Sequence, residues 1–82
     1  MTWSVVWEVA AESSLLGIPN WHMAQNVAMA VNDFATAGIG PIERVTTDTS
    51  APFRLRVPPY VVRFSLEAST RTLRVWAVWR AS

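Results

Sequence analysis

The sequence has no cysteine, no lysine and only one histidine, and each shortage closes off a class of function. Without cysteine there is no disulfide framework, no thiolate metal site and no cysteine nucleophile. With His22 as the lone imidazole, the residue types that build a zinc site are missing too, and no metal or cofactor is expected. Glycine is scarce too, with three in the chain. Gly38 and Gly40 read as a helix stop and a turn, since no strand-glycine-helix context surrounds them to make a phosphate loop. The start MTWSVVWEV has no basic region followed by an apolar run and a small-residue cleavage site, so no secretory signal is expected and the cytoplasm is the default compartment. The longest stretch free of Asp, Glu and Arg, residues 13–32, is broken by Pro19, Asn20, His22, Gln25 and Asn26. It reads as amphipathic and not as a membrane span.

What charge there is lies unevenly. In residues 1–50 one arginine, Arg44, stands against Glu8, Glu12, Asp33, Glu43 and Asp48, which leaves −4; in residues 51–82 six arginines stand against Glu67, which leaves +5. Such polarity points to a local anionic partner more than to a uniformly basic protein. An all-arginine set suits bidentate contacts to phosphate or carboxylate. It is equally the product of a genome rich in G and C.

The length, 82 residues, allows one domain with one core, spanning residues 1–82. Residues 2–9 alternate Trp3, Val5, Trp7 and Val9 with other side chains, the pattern of a strand with one buried face. Residues 10–16 read as a short helix stopped by Gly17 and Pro19. Asn20 is placed to cap a second helix over residues 21–37, which Gly38 closes. Its apolar positions Met23, Val27, Ala30, Val31 and Phe34 follow helical spacing. A loop follows to residue 52, holding a short strand at residues 43–47. Three extended segments complete the chain: residues 53–57, 60–67 and 71–80. Pro58-Pro59 joins the first two, and Ala68-Ser69-Thr70 the last two. The order predicts an α+β fold: an N-terminal strand, a two-helix hairpin, then a C-terminal antiparallel sheet of three to four strands packed on the helices.

Strand alternation then sorts the arginines. Phe53, Leu55 and Val57 share one face; so do Tyr60, Val62, Phe64 and Leu66, and Leu73, Val75, Ala77 and Trp79. With those faces on the helices, Arg54, Arg56, Arg63, Arg74 and Arg80 occupy the uncovered face together with Trp76, and only Glu67 lies near to balance them. Cations around one exposed aromatic form a platform for phosphates and bases. Trp3, Trp7 and Trp79 are assigned to the core. Trp76 beside Arg74 suits a protein partner as well as RNA.

These segments, TWSVVWEV, AAESSLLGI, NWHMAQNVAMAVNDFATAG, FRLRV, YVVRFSLEA and TRTLRVWAVWR, resemble in order and spacing the RelE/ParE superfamily of type II toxin–antitoxin toxins, over nearly the whole chain. The resemblance implies a toxin neutralised by a cognate antitoxin. In the nuclease branch it implies a metal-independent endoribonuclease that inhibits translation, cutting mRNA on the ribosome by attack of a ribose 2′-hydroxyl on its own phosphate. In the other branch it implies a non-catalytic protein that inhibits DNA gyrase. An inactive homologue that only binds its antitoxin is a third reading. By position, Arg54 and Arg56 match the paired basic residues before the turn, and Arg80 the basic residue that closes the last strand. The sequence departs from the pattern at Val61, where the family often has an arginine; Arg63, on the same face, is the substitute. It also departs at Ala81, near where active nucleases usually have a tyrosine or histidine.

The candidate catalytic set is therefore Arg56, Arg63, Arg80 and Glu43, with Arg54, Arg56, Arg74 and Trp76 binding RNA and phosphate. Arginine stabilises developing phosphate charge but carries no proton at working pH. Glu43 in GPIERV is the candidate base, by analogy with a glutamate that some nuclease members have ahead of the basic pair. A solvated loop carboxylate paired with an arginine is its competing description. Tyr60 falls on the core face, His22 lies near the start of the second helix, and Ser13 and Ser14 have no neighbouring base in sequence.

Overall fold

A computed structural model describes residues 2–45 and 49–81, and its elements begin with the strand β1 (Ser4–Trp7) and the helix α1 (Val9–Leu16). The helix α2 (Trp21–Ala37) has both ends built as its flanking residues require. The Asn20 side chain accepts from the backbone N–H of His22 at 2.9 Å and of Met23 at 3.4 Å, satisfying donors that the first turn leaves unpaired. At the other end Gly38 adopts φ 70°, the left-handed conformation that suits glycine, and its N–H closes on the Phe34 carbonyl at 2.8 Å. Replacing Asn20 with Ala is expected to cost about 1 kcal/mol, lowering the melting temperature by roughly 4–8 °C in a domain this small. A thermal melt followed by circular dichroism reads this directly.

The strands β2 (Ile42–Arg44), β3 (Phe53–Val57), β4 (Tyr60–Glu67) and β5 (Thr72–Arg80) join β1 in one five-stranded sheet of order β1-β5-β4-β3-β2. The four C-terminal strands pair antiparallel with one another, and β1 adds to β5 in parallel. The α+β expectation holds, with the antiparallel sheet extended to a mixed one. β2 spans Ile42–Arg44; part of the strand expected to reach residue 47 lies outside the described residues. α1 packs mainly on β5, and α2 on β1 and β3. Val27, Val31, Phe34 and Ala35 of α2 meet Leu55, Val62, Phe64, Leu73 and Val75 of the sheet in one core. No helix among the described residues is long and apolar enough to cross a membrane.

One irregularity overturns the expected faces of β5. The pairing steps from Arg63↔Ala77 to Phe64↔Val75, so Trp76 is an extra residue, a bulge that shifts the alternation by one. Beyond it Val78, and not Ala77 or Trp79, enters the core, with 5% of its surface exposed. Trp79, expected in the core, is 40% exposed and pairs with Val61 on the uncovered face. Arg80, expected on that uncovered face, pairs with Tyr60 and so shares the helix side of the sheet, at its end. Trp3 and Trp7 pack against the core as expected.

Candidate functional site

Alternation along β3 sends Arg54 and Arg56 to the uncovered face, and register sets them opposite Arg63 and Val61 of β4. The acids there are more numerous than expected. β2 places Glu43 directly opposite Arg54, and Glu8, just past β1, and Glu67 of β4 approach the same face. Each acid is committed. Arg54 Nη2 donates to Glu43 Oε2 at 2.9 Å, while Arg56 Nε meets Glu43 Oε1. One carboxylate is thus shared between two guanidinium groups. Arg74 Nε donates to Glu67 Oε2 at 2.7 Å and its Nη1 to Glu8 Oε1 at 2.9 Å, tying β5 to both of its neighbours.

These contacts set the charge states. The hydrogen bond from Arg54, reinforced by the nearby charges of Arg54 and Arg56, holds the Glu43 carboxyl below the usual glutamate range. Because the folded value is depressed, the contact's contribution to stability is full above the ordinary glutamate range. It is lost as pH falls through the depressed value. A carboxylate so held is a weaker base than a free one. The hydrogen bonds to Glu67 and then Glu8 raise the Arg74 guanidinium further above its already high range.

The other candidates separate. Arg63 is half-buried, and its Nε and Nη2 both donate to the Ala51 carbonyl, at 3.1 and 2.8 Å. Trp76 is 39% exposed, donates its indole N–H to Ser65 Oγ at 2.8 Å and lies under the Arg74 guanidinium, 5.9 Å from the ring centroid. Tyr60 is buried in the core, as its parity requires. His22 stacks on Trp21 at the exposed start of α2, and Ser13 and Ser14 are exposed on α1. Among the described residues, no three His, Asp or Glu side chains are grouped to hold a metal.

Two of the sequence candidates share a cavity. Arg54 and Arg56, the Pro58-Pro59 turn, Tyr60, Val61 and Ala81 line a cleft of about 290 Å³ at the end of the sheet. Val61, the departure from the family pattern, is 8% exposed although it lies on the uncovered face, between Arg56 and Trp79 by register. It makes an apolar floor where an arginine was the expectation. The Ala81 N–H donates to the Pro59 carbonyl at 2.8 Å, fastening the end of β5 to the rim. Sequence reasoning missed Glu8 as a partner of Arg74 and Trp79 as a surface residue; the latter turns on the bulge at Trp76, which appears only in the strand pairing.

No protein-family model matches the sequence, and no curated protein matches it. Among solved structures, a chain of the toxin–antitoxin complex RelBE2 from Mycobacterium tuberculosis superposes with a TM-score of 0.78. The match covers 98% of this chain and 99% of that one, with 16% of residues identical. The likeness is one of fold, and it agrees with the resemblance carried by the order of segments: the chain has a RelE-like fold.

Proposed function

We propose that this chain is the toxin of a toxin–antitoxin pair and that it cuts mRNA on the ribosome, with Arg54 and Arg56 holding the phosphate. The observation that carries the site is the shared carboxylate: two guanidinium groups already converge on the two oxygens of one anion, Glu43. A phosphate presents the same paired oxygens to the same donors. In the reaction the 2′-oxygen bonds to phosphorus while the bond to the 5′-oxygen breaks, leaving a 2′,3′-cyclic phosphate and a 5′-hydroxyl. Arg54 and Arg56 stabilise the charge that builds on the phosphoryl oxygens. The proton leaves the 2′-hydroxyl and one reaches the 5′-oxygen. Glu43 can take part only once it is released from the arginines.

One set of facts favours a second reading, a toxin that binds DNA gyrase without cleaving RNA. Among the described residues, the acid–base candidates nearest the cleft are engaged or buried: Glu43 is paired twice, and Tyr60, although it lines the cleft, is buried against the core. Inducing the chain in cells and mapping mRNA 5′ ends separates the two. Codon-positioned cuts that vanish with Arg56→Ala support the nuclease; growth arrest with altered supercoiling and intact mRNA replaces it with the gyrase reading. If a small protein is encoded beside the gene, co-expression with it tests the antitoxin partnership, and relief of growth arrest is the expected result.

A further inference from the structure

The Arg54–Arg56 pair is occupied by a residue of the chain itself, and that occupancy selects what can enter. Glu43 is held by backbone pairing directly opposite Arg54. Tethered in this way, its carboxylate competes at an effective concentration far above that of a free anion. We infer that Glu43 is a specificity residue which closes the arginine pair to isolated phosphates and admits a nucleic-acid strand, whose several phosphates together displace it. The inference rests on the reading that the cleft takes phosphate.

A strand has a further cation to engage. Arg80 lies on the helix side of the sheet by register, but it is exposed at the very end of β5 beside Ala81, which lines the cleft, so a strand that runs from the Arg54–Arg56 pair over this end of the sheet meets it. β3 and β5 flank β4, so their backbones lie roughly 10 Å apart, a gap that a strand of a few nucleotides spans. A lone phosphate gains no such second contact and must displace Glu43 unaided. A group acting chiefly as a general base predicts the opposite of a competitor: its removal slows the reaction and leaves anion affinity unchanged.

The test measures binding of a short single-stranded 2′-O-methyl RNA, which cannot be cleaved, and of inorganic phosphate, to the wild-type chain, Glu43→Gln and Glu43→Ala. The wild type is expected to bind the oligonucleotide and show no saturable phosphate binding. Both variants are expected to bind the oligonucleotide about 2- to 30-fold more tightly, the scale of two exposed ion pairs removed, and to acquire measurable phosphate binding. Glu43 is exposed on a three-residue edge strand, and circular dichroism checks that each variant is folded. Unchanged or weaker binding in both folded variants overturns the inference. If Arg56→Ala abolishes oligonucleotide binding while Glu43→Gln leaves it unchanged, the phosphate reading stands and the inference fails. If neither the wild type nor the variants bind the oligonucleotide, both fail.

Discussion

Replacing Phe64 with Ala is expected to cost the chain about 3–5 kcal/mol of stability. Phe64 is 1% exposed and is the largest of the fully buried side chains. Its ring packs on Phe34 of α2, with centroids 5.3 Å apart, and on Phe53 of β3 at 5.5 Å, so one side chain joins helix to sheet and strand to strand. It also pairs with Val75 at the step where Trp76 bulges out. Truncating a buried phenylalanine costs about 3–5 kcal/mol, the lost transfer energy plus the cavity left behind. Set against a total of about 4–12 kcal/mol for a chain of this length, that is a quarter of the stability or more. Urea unfolding should show a large fall in the midpoint, with Phe64→Leu retaining most of the stability because it conserves much of the volume. A loss below about 1 kcal/mol for Phe64→Ala would mean that the aromatic cluster is peripheral to folding.

How much of this was legible in the sequence follows from how local each signal is. α2 could be read from end to end because Asn20 and Gly38 act on the backbone within a residue or two of themselves. β3 and β4 were legible because prolines mark their junction and their apolar residues alternate without a gap. The far half of β5 was not. Beyond the bulge both registers offer apolar residues, Ala77 and Trp79 in one and Val78 in the other, so alternation alone could not choose. The choice is made by the pairing with β4, whose eight residues face nine, and it leaves Val78 buried and Trp79 exposed. The parallel pairing of β1 with β5 is likewise a contact between the two ends of the chain, which no local pattern announces.

The same distinction explains the electrostatics. The split of charge between the two halves of the sequence suggested an uncovered face with almost no acids. Folding brings Glu8 and Glu43 from the acidic half onto that face, where with Glu67 they meet Arg74, Arg54 and Arg56. Charge segregated along the chain becomes charge paired across the sheet. The arginines at the cleft therefore stand as a preformed but occupied anion site, and the phosphate reading concerns exchange of one anion for another.

If the chain cuts RNA as proposed, removing that site is expected to slow the cutting sharply while the fold survives. Arg54→Ala and Arg56→Ala should each reduce the rate by about 10²–10³, the usual cost of losing one electrostatic donor to a developing phosphate charge. The double variant should lose little more than the worse single, because two donors that grip the same phosphate act as a unit and their effects are not additive. Both side chains lie on the sheet face that the helices leave uncovered, so the core that Phe64 anchors is untouched, and circular dichroism should show the same fold. Arg71→Ala, in the β4–β5 turn at the opposite end of β4 from Pro58-Pro59, removes the same charge away from the cleft and should leave the cutting rate unchanged. Rates measured on purified ribosome complexes, by primer extension across the cut site, distinguish the outcomes. If all three single variants slow the reaction equally, the arginines serve only through overall charge. If Arg54→Ala and Arg56→Ala cut at the wild-type rate, the phosphate is bound elsewhere and the cleft is not the active site.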